Sequence, residues 1–283
     1  MQSEDGQFIP VKRTPRETTF PKLIVLDLDG TTLGGGHLPY ARIPDRVAAF
    51  LDGLTDAGCA WAINTTWDVN GQWDLVMGSP VCSRPEFLVA ELGRRVARVG
   101  SGGPEFIEPY TTDTDTETRL TARKYMVPLI FDLLQRYTPA SVNYYGHLLS
   151  FATSDDPAQF DRDATSRYSR MEGMSVSVGN GQLKAVLSML SKGRGLAEVL
   201  RVGGYAPEDV VVAGDEFSDV SMMQPACAAY AICPSNADPS VKRHVERIGG
   251  VIASRPNGDG VIEGFALLAK RYNWKAPERA GIF

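Results

Sequence analysis

Short apolar runs alternate with longer amphipathic stretches along most of the chain. Leu23-Ile24-Val25-Leu26, Ala60-Trp61-Ala62-Ile63, Phe87-Leu88-Val89-Ala90 and Val210-Val211-Val212-Ala213 are unbroken. An unbroken run of this length reads as a strand buried on both faces. Ala228–Ile232 and Gly250–Ala253 are further candidates. Between the first two runs, Val47, Phe50, Leu51 and Leu54 recur at helical spacing behind Pro44, a residue suited to a first helical turn. Segments 192–202, 218–224, 238–247 and 259–271 carry the same periodicity. Strand alternating with helix predicts an α/β fold: a doubly wound, Rossmann-like parallel sheet.

The middle of the chain has a different texture. Residues 94–98 and 104–107 are paired as a hairpin across the Gly-rich turn at 100–103. The polar run Thr111 to Thr118 reads as a linker or loop, and Leu120 to Tyr137 as a helix with a kink or break at Pro128. Strands are expected at 141–145 and 148–151 about Gly146-His147, a helix at 160–171, and strands at 174–178 and 183–187 about Gly179-Asn180-Gly181. The stretch from Thr65 to Lys192 is far longer than one crossover requires. An α+β domain is therefore expected as an insert at about 110–187, with the core at 21–109 and 188–283. Residues 1–20 mix charge, Pro and Thr without periodicity and read as a flexible extension.

Two acidic clusters follow two of the apolar runs. Asp27-Leu28-Asp29-Gly30-Thr31-Thr32 leaves the first, and Gly214-Asp215-Glu216-Phe217-Ser218-Asp219 leaves the fourth. Ligands of open α/β sheets bind at the carboxyl ends of strands. If the two strands are neighbours, the carboxylates converge there and repel one another unless a cation neutralises them. An all-oxygen set suits a hard divalent ion such as Mg2+. A calcium loop starting at Asp27 is excluded, because Thr32 and Leu38 stand where Gly and Glu are needed.

The ordered set resembles the haloacid-dehalogenase-like superfamily. DLDGTTL and GDEFSD are similar to its first and fourth motifs, Thr65 after the second apolar run to its second, and Ser191-Lys192-Gly193 to its third. Cys233-Pro234-Ser235-Asn236-Ala237 with Val241-Lys242 resembles a segment of the Cof-type and sucrose-phosphate-phosphatase-like branch. The insert's place and layout then imply a type IIB cap.

The resemblance implies a phosphoric monoester hydrolase with Mg2+ as cofactor. Asp27 would be the nucleophile and Asp29 the general acid and base. Thr65, Thr66 and Lys192 would bind the phosphoryl group. Asp27, Asp215 and the Asp29 backbone carbonyl would ligate the metal, with Asp219 and Ser218 behind them. Trp67, Lys184, Tyr144 and Asn236 are candidates for substrate discrimination. The implied substrate is a small phosphorylated metabolite, best matched to a sugar phosphate. A phosphomutase or nucleotide phosphatase would use the same core, and a non-catalytic sensor of phosphometabolites is the alternative of another class. Two departures stand out. Relatives commonly read Thr-Gly-Arg where this chain has Thr65-Thr66-Trp67, and Asn where it has Ser218. Trp67 thus removes a cation that could pair with a carboxylate or the substrate.

Composition narrows the partners. With 29 basic and 34 acidic residues the chain has no basic footprint for nucleic acid. Four cysteines without a CxxC pair read as free thiols in a reducing compartment, and no apolar run has signal or membrane-spanning character, so a cytoplasmic location is expected. His37, His147 and His244 lack metal-ligand spacing and read as surface or packing residues. Tyr144 and Tyr145 read as pocket, core or interface aromatics.

Overall fold

The computed structural model describes residues 19–34 and 42–275. The extension expected at 1–20, apart from its last two residues, and His37 lie outside the described residues. Two sheets organise the chain. The larger has eight strands in the order β12-β11-β10-β1-β2-β3-β4-β5. Its strands are β1 (Leu23–Leu26), β2 (Ala60–Asn64), β3 (Phe87–Ala90), β4 (Arg95–Gly100), β5 (Gly103–Phe106), β10 (Val210–Ala213), β11 (Tyr230–Cys233) and β12 (Val251–Ile252). All neighbours from β12 to β3 pair in parallel, and the β4–β5 hairpin continues the sheet antiparallel.

The parallel strands are buried end to end because helices cover both faces. Alternation along each strand divides its side chains between two layers. Ile24, Leu26, Val211 and Ala213 enter one cluster, with Val47, Phe50, Leu51 and Leu54 of α1 (Asp45–Asp56) and Phe265 of α8 (Asn257–Tyr272). Leu23, Val25, Val210 and Val212 enter the other, with Leu196 and Val199 of α6 (Lys192–Gly203) and Val241 and Val245 of α7 (Pro239–Arg247). Pro44 sits one residue before α1, at its N-cap. Chain order reverses at β1, where β2 and β3 extend one way and β10 and β11 the other. This is the switch point of a doubly wound sheet, where loops diverge and leave a crevice.

The second sheet is antiparallel, in the order β6-β7-β9-β8, from β6 (Pro139–Tyr144), β7 (Leu148–Thr153), β8 (Met174–Gly179) and β9 (Gln182–Leu187). Its own cluster joins Leu149, Phe151, Leu183 and Ala185 to Leu129 and Leu133 of α4 (Val127–Arg136) and Phe160 and Ala164 of α5 (Pro157–Tyr168). Leu92 and Leu190, from the two connections to the larger sheet, complete this cluster.

Three expectations fail. Residues 111–118 are not a loop but part of α3 (Tyr110–Thr121). Thr111, Thr114 and Thr118 face inward at helical spacing, a stripe hidden from a hydrophobicity reading because it is built of threonine. The helical path then continues through a π-helical turn, Ala122–Met126, into α4. Pro128 therefore does not break the path. Proline has no N–H to donate, and the widened turn before it accommodates that loss. The helix expected at 218–224 is only a 3-10 turn, Phe217–Ser221. The Asp219 carboxylate accepts hydrogen bonds from the backbone N–H groups of Asp215 and Glu216 and draws the chain tight. No helix among the described residues is long and apolar enough to cross a membrane.

Gly93 joins the two sheets' connections closely. Its φ is +79°, and a Cβ there would lie 2.3 Å from the Ser191 carbonyl oxygen and 2.7 Å from the Gly195 amide nitrogen. Both are backbone atoms at the start of α6, so neither can rotate away. Gly93→Ala should destabilise the chain by more than about 1 kcal/mol, read as a lower urea midpoint. An unchanged midpoint would show that the start of α6 yields freely.

Candidate active site

Asp27 directly follows β1, and its neighbour β10 ends two residues before Asp215. Leu26 is in register with Ala213 on one side and with Ile63 of β2 on the other. Asp27, Gly214 and Asn64 therefore emerge side by side. Gly30 turns the β1 loop back at φ +74°, where a Cβ would lie 2.2 Å from Asp215 Oδ2. Only glycine allows that approach. Thr31 then donates its hydroxyl to Asp215 Oδ1 at 2.7 Å, tying the two acidic loops together.

Lys192 opens α6, whose N-cap Ser191 accepts a hydrogen bond from the Arg194 N–H. Its ammonium is 2% exposed and donates to Asp27 Oδ1 at 2.6 Å and to Asp219 Oδ1. Asn64 is fully buried and donates its Nδ2 to the Lys192 carbonyl at 2.9 Å. The strand end thus fixes the backbone whose side chain reaches Asp27. Burial alone would strip Lys192 of its proton, but the charges of Asp27 and Asp219 hold its ammonium above the ordinary lysine range. Burial, reinforced by the charge of Asp219, pushes the Asp27 carboxyl up to about 8 against the pull of Lys192. Burial likewise raises Asp215 to about 6, against the Thr31 hydrogen bond.

One ammonium thus faces three carboxylates, and carboxylate oxygens of Asp27, Asp215 and Asp219 lie within 4.8 Å of one another. Their oxygens are not equally free. Asp219 spends one on Lys192 and the other on the amides of Asp215 and Glu216. Asp27 and Asp215 each keep an oxygen outside the hydrogen bonds described above. This donor set fits a hard divalent cation held by Asp27 and Asp215, with Asp219 behind them orienting Lys192.

The acidic floor opens into a cleft of about 1150 Å³ between the sheets. Asp27, Asp29, Thr65, Thr66, Trp67 and Lys192 line its core side. Tyr145, His147, Leu148 and Lys184 line the side of the second sheet. Thr65 is buried and Thr66 exposed. Most of the expected set is therefore brought together; Asp215 and Asp219 stand behind Asp27 and Lys192 rather than in the lining, and Tyr144 and Asn236 do not line this cleft. Tyr144 points its hydroxyl at the Gly146 carbonyl on the edge strand, and its neighbour Tyr145 lines the cleft instead. Asn236 braces two loops, donating to the Gly30 carbonyl at 2.8 Å and accepting from the Asn257 N–H. Ser218 holds its buried hydroxyl without a hydrogen-bond partner and lies outside the cleft lining. Of the surface and packing roles expected for it, His147 takes the packing one. It is 5% exposed, its Nδ1 lies 3.1 Å from the Tyr145 carbonyl, and burial lowers its proton affinity.

Trp67 corrects the expectation drawn from the missing arginine. Its indole N–H donates to Asp29 Oδ2 at 2.7 Å, so the carboxylate retains a partner, but a neutral one. Asn64, Thr31 and Gln72 were not legible as site residues. Asn64 had a faint signal, as the polar residue ending an apolar run. Gln72 had none, being one polar residue on a helix.

Comparison with known proteins agrees with this geometry. The model of the haloacid dehalogenase-like hydrolase family matches residues 128–265. This matched segment resembles the haloacid dehalogenase-like hydrolases. Its fold is similar to the sucrose-phosphatase of Synechocystis sp. PCC6803, solved with sucrose and phosphate, at 15% identity and a TM-score of 0.61 over 90% of this chain and 99% of that one. It is similar to TM0651 of Thermotoga maritima, at 16% identity and a TM-score of 0.59 over 89% and 97%. BT1666 of Bacteroides thetaiotaomicron, described among the phosphatases of this superfamily, gives 16% identity and a TM-score of 0.55 over 93% and 99%. No curated protein sequence matches the chain. At such identities the solved structures establish the shared fold alone.

The buried ion cluster makes a stability prediction. Lys192→Met leaves two buried carboxylates without their cation. Breaking a buried pair in this way costs about 3–5 kcal/mol. Urea unfolding without divalent ions should show a loss of that size. A change below about 1 kcal/mol would mean that the carboxylates take up protons at little cost.

Proposed function

We propose that this protein is a magnesium-dependent phosphatase of small phosphorylated metabolites, working through an aspartyl-phosphate. The observation that carries the reading is the buried Asp27–Lys192–Asp219 cluster, whose Asp27 and Lys192 line the cleft, with Asp215 beside it. An acidic group held this deeply against a lysine is poorly suited to simple binding and well suited to displacement at phosphorus.

In this reading Asp27 attacks the phosphoryl group as the ester bond to the leaving alcohol breaks. Asp29, three residues beyond the end of β1 and open to the cleft, gives its proton to that alcohol. In the second half-reaction Asp29 takes a proton from the attacking water, and the bond to Asp27 breaks. Lys192 offsets charge shared between Asp27 and the phosphoryl oxygens, and the Thr65 hydroxyl with the hydroxyl and amide of Thr66 orient those oxygens. Asp27, Asp215 and the Asp29 carbonyl would hold the magnesium ion, which when bound supplies further positive charge to the transferring group.

Substrate choice falls to the walls of the cleft. The inserted domain contributes Tyr145, His147, Leu148 and Lys184, which face the leaving group rather than the phosphate. Hydroxyl-rich leaving groups suit this mixture of donors, acceptors and one aromatic face. The sucrose-phosphatase, similar in fold across nearly its whole length, supports a sugar phosphate as the substrate class. The four cysteines are free, consistent with work in a reducing cytoplasm.

A screen of phosphorylated metabolites with magnesium, read as phosphate release, tests the reading. Asp27→Asn should reduce turnover to background while circular dichroism stays unchanged, because the substitution removes a nucleophile and keeps the packing. Chelation by EDTA should do the same, with recovery on adding magnesium. Full activity in either condition excludes the mechanism. Lys184→Ala should narrow the spread of kcat/KM among natural phosphates and leave an aryl phosphate almost unaffected. An unaltered spread would move discrimination to the core side of the cleft.

A further inference from the structure

We propose that Trp67 is a positioning residue for Asp29, an inference that rests on the acid–base role given to Asp29 above. Asp29 is exposed, on the loop beyond β1, and the hydrogen bond its carboxylate receives comes from Trp67 Nε1 at 2.7 Å to Oδ2. A carboxylate on such a loop otherwise rotates freely and points into water. The indole is a fixed post. Its ring packs on the first core cluster. Its carbonyl accepts from the Glu91 N–H at 3.1 Å and from Gln72 Nε2 at 3.1 Å. Gln72 is itself fully buried and also donates to the Val89 carbonyl. A chain of contacts thus runs from the interior of the sheet to one oxygen of Asp29.

The chemistry of the donor matters. An indole N–H donates and never accepts, so it engages one carboxylate oxygen in a single sense. With Oδ2 engaged, Oδ1 is the oxygen left to meet the leaving alcohol. The proton passes from Asp29 Oδ1 to the bridging oxygen as the P–O bond breaks and the bond from Asp27 to phosphorus forms. It is replaced from water in the second half-reaction. Trp67 keeps its own proton throughout and acts only through Asp29. Being neutral, it orients the carboxylate without adding a charge beside the phosphate. Trp67 thus supplies, with a different donor, the carboxylate partner that the sequence seemed to lack.

The test is a double-mutant cycle in kcat/KM, which reports the steps up to formation of the phosphoenzyme. Wild type, Trp67→Phe, Asp29→Asn and the double variant are compared with magnesium on an alkyl phosphate and on 4-nitrophenyl phosphate. Trp67→Phe should lower kcat/KM on the alkyl phosphate by about tenfold, the effect expected of a hydrogen bond to a charged group. The loss should be several-fold smaller on the aryl ester, whose leaving group needs little protonation. In the Asp29→Asn background, adding Trp67→Phe should cost nothing more. Additive losses, or equal losses on both esters, would overturn the proposal and leave Trp67 a wall of the cleft. If Asp29→Asn itself leaves the alkyl ester unaffected, the acid–base reading falls and this inference with it. If it slows that ester while Trp67→Phe does not, this inference alone fails. Should Trp67→Phe not fold, benzothienylalanine at position 67, with sulfur in place of N–H, carries the same comparison.

Discussion

A single ammonium, that of Lys192, sets the geometry on which the site depends. It is buried and must satisfy two carboxylates delivered by separate parts of the chain, Asp27 from β1 and Asp219 from the turn after β10. Losing the cation leaves two buried anions, and losing an anion leaves a cation with half its compensation, so the three positions constrain one another. The backbone around them is pinned accordingly. Asn64 holds the Lys192 carbonyl, Ser191 caps the helix, and Gly93 lets the connection after β3 press against that helix start. Lys192 also stands at the positive end of α6, where an extra cation is ordinarily unfavourable. The two carboxylates offset that cost, and the combined positive field points toward the place an anionic group would occupy.

Asp215 shows how the same point gathers a second layer of charge without disturbing the first. Its loop is held by Thr31 from one side, and Asp219 accepts from its backbone amide. Gly30 provides the space its carboxylate occupies. The Thr31 hydroxyl thus ties the first acidic loop to the second, and Asp219 holds the second loop together, which keeps like charges close while each finds donors. That arrangement serves a cation better than a loose pair of acidic turns would, since the oxygens aimed at it are already oriented.

Much of this was legible in the sequence, for definite reasons. The buried strands are unbroken apolar runs because both faces are covered, and the polar residues ending them stand out against that background. Asp27, Asp29 and Asp215 were therefore easy to locate, Thr65 and Lys192 came from the resemblance to the family's motifs, and the α/β core with its inserted second sheet followed from spacing. What was missed has a common cause. The inward face of α3 is threonine, so its period is invisible to a scale that counts apolar residues. The π-helical turn before Pro128 is a property of hydrogen-bond register, which side-chain pattern does not encode. Asn236 carried a motif, yet its amide braces Gly30 and Asn257 instead of facing the cleft. A motif shows that a residue matters without telling which way it points. Tyr144 and Tyr145 make the same point, since adjacent residues about a strand end take different surroundings and only one of them lines the cleft.

The contrast between floor and walls explains where the chain departs from its relatives. Residues on the floor are coupled through buried charge, and a change in one is felt by the others. Trp67 belongs to the wall. It is partly exposed and shares no ion pair, and its role needs only an N–H aimed at Asp29 Oδ2 from a ring that the core holds still. Indole and guanidinium both meet that geometric demand. They differ in the charge they bring and in the surface they offer a leaving group. Exchanging one for the other keeps the carboxylate in place while making the cleft less cationic and more aromatic. On the proposed function, such a change would leave the phosphoryl chemistry of the floor intact and alter which alcohols the cleft accepts, which is the freedom that a fixed floor and a variable wall would together provide.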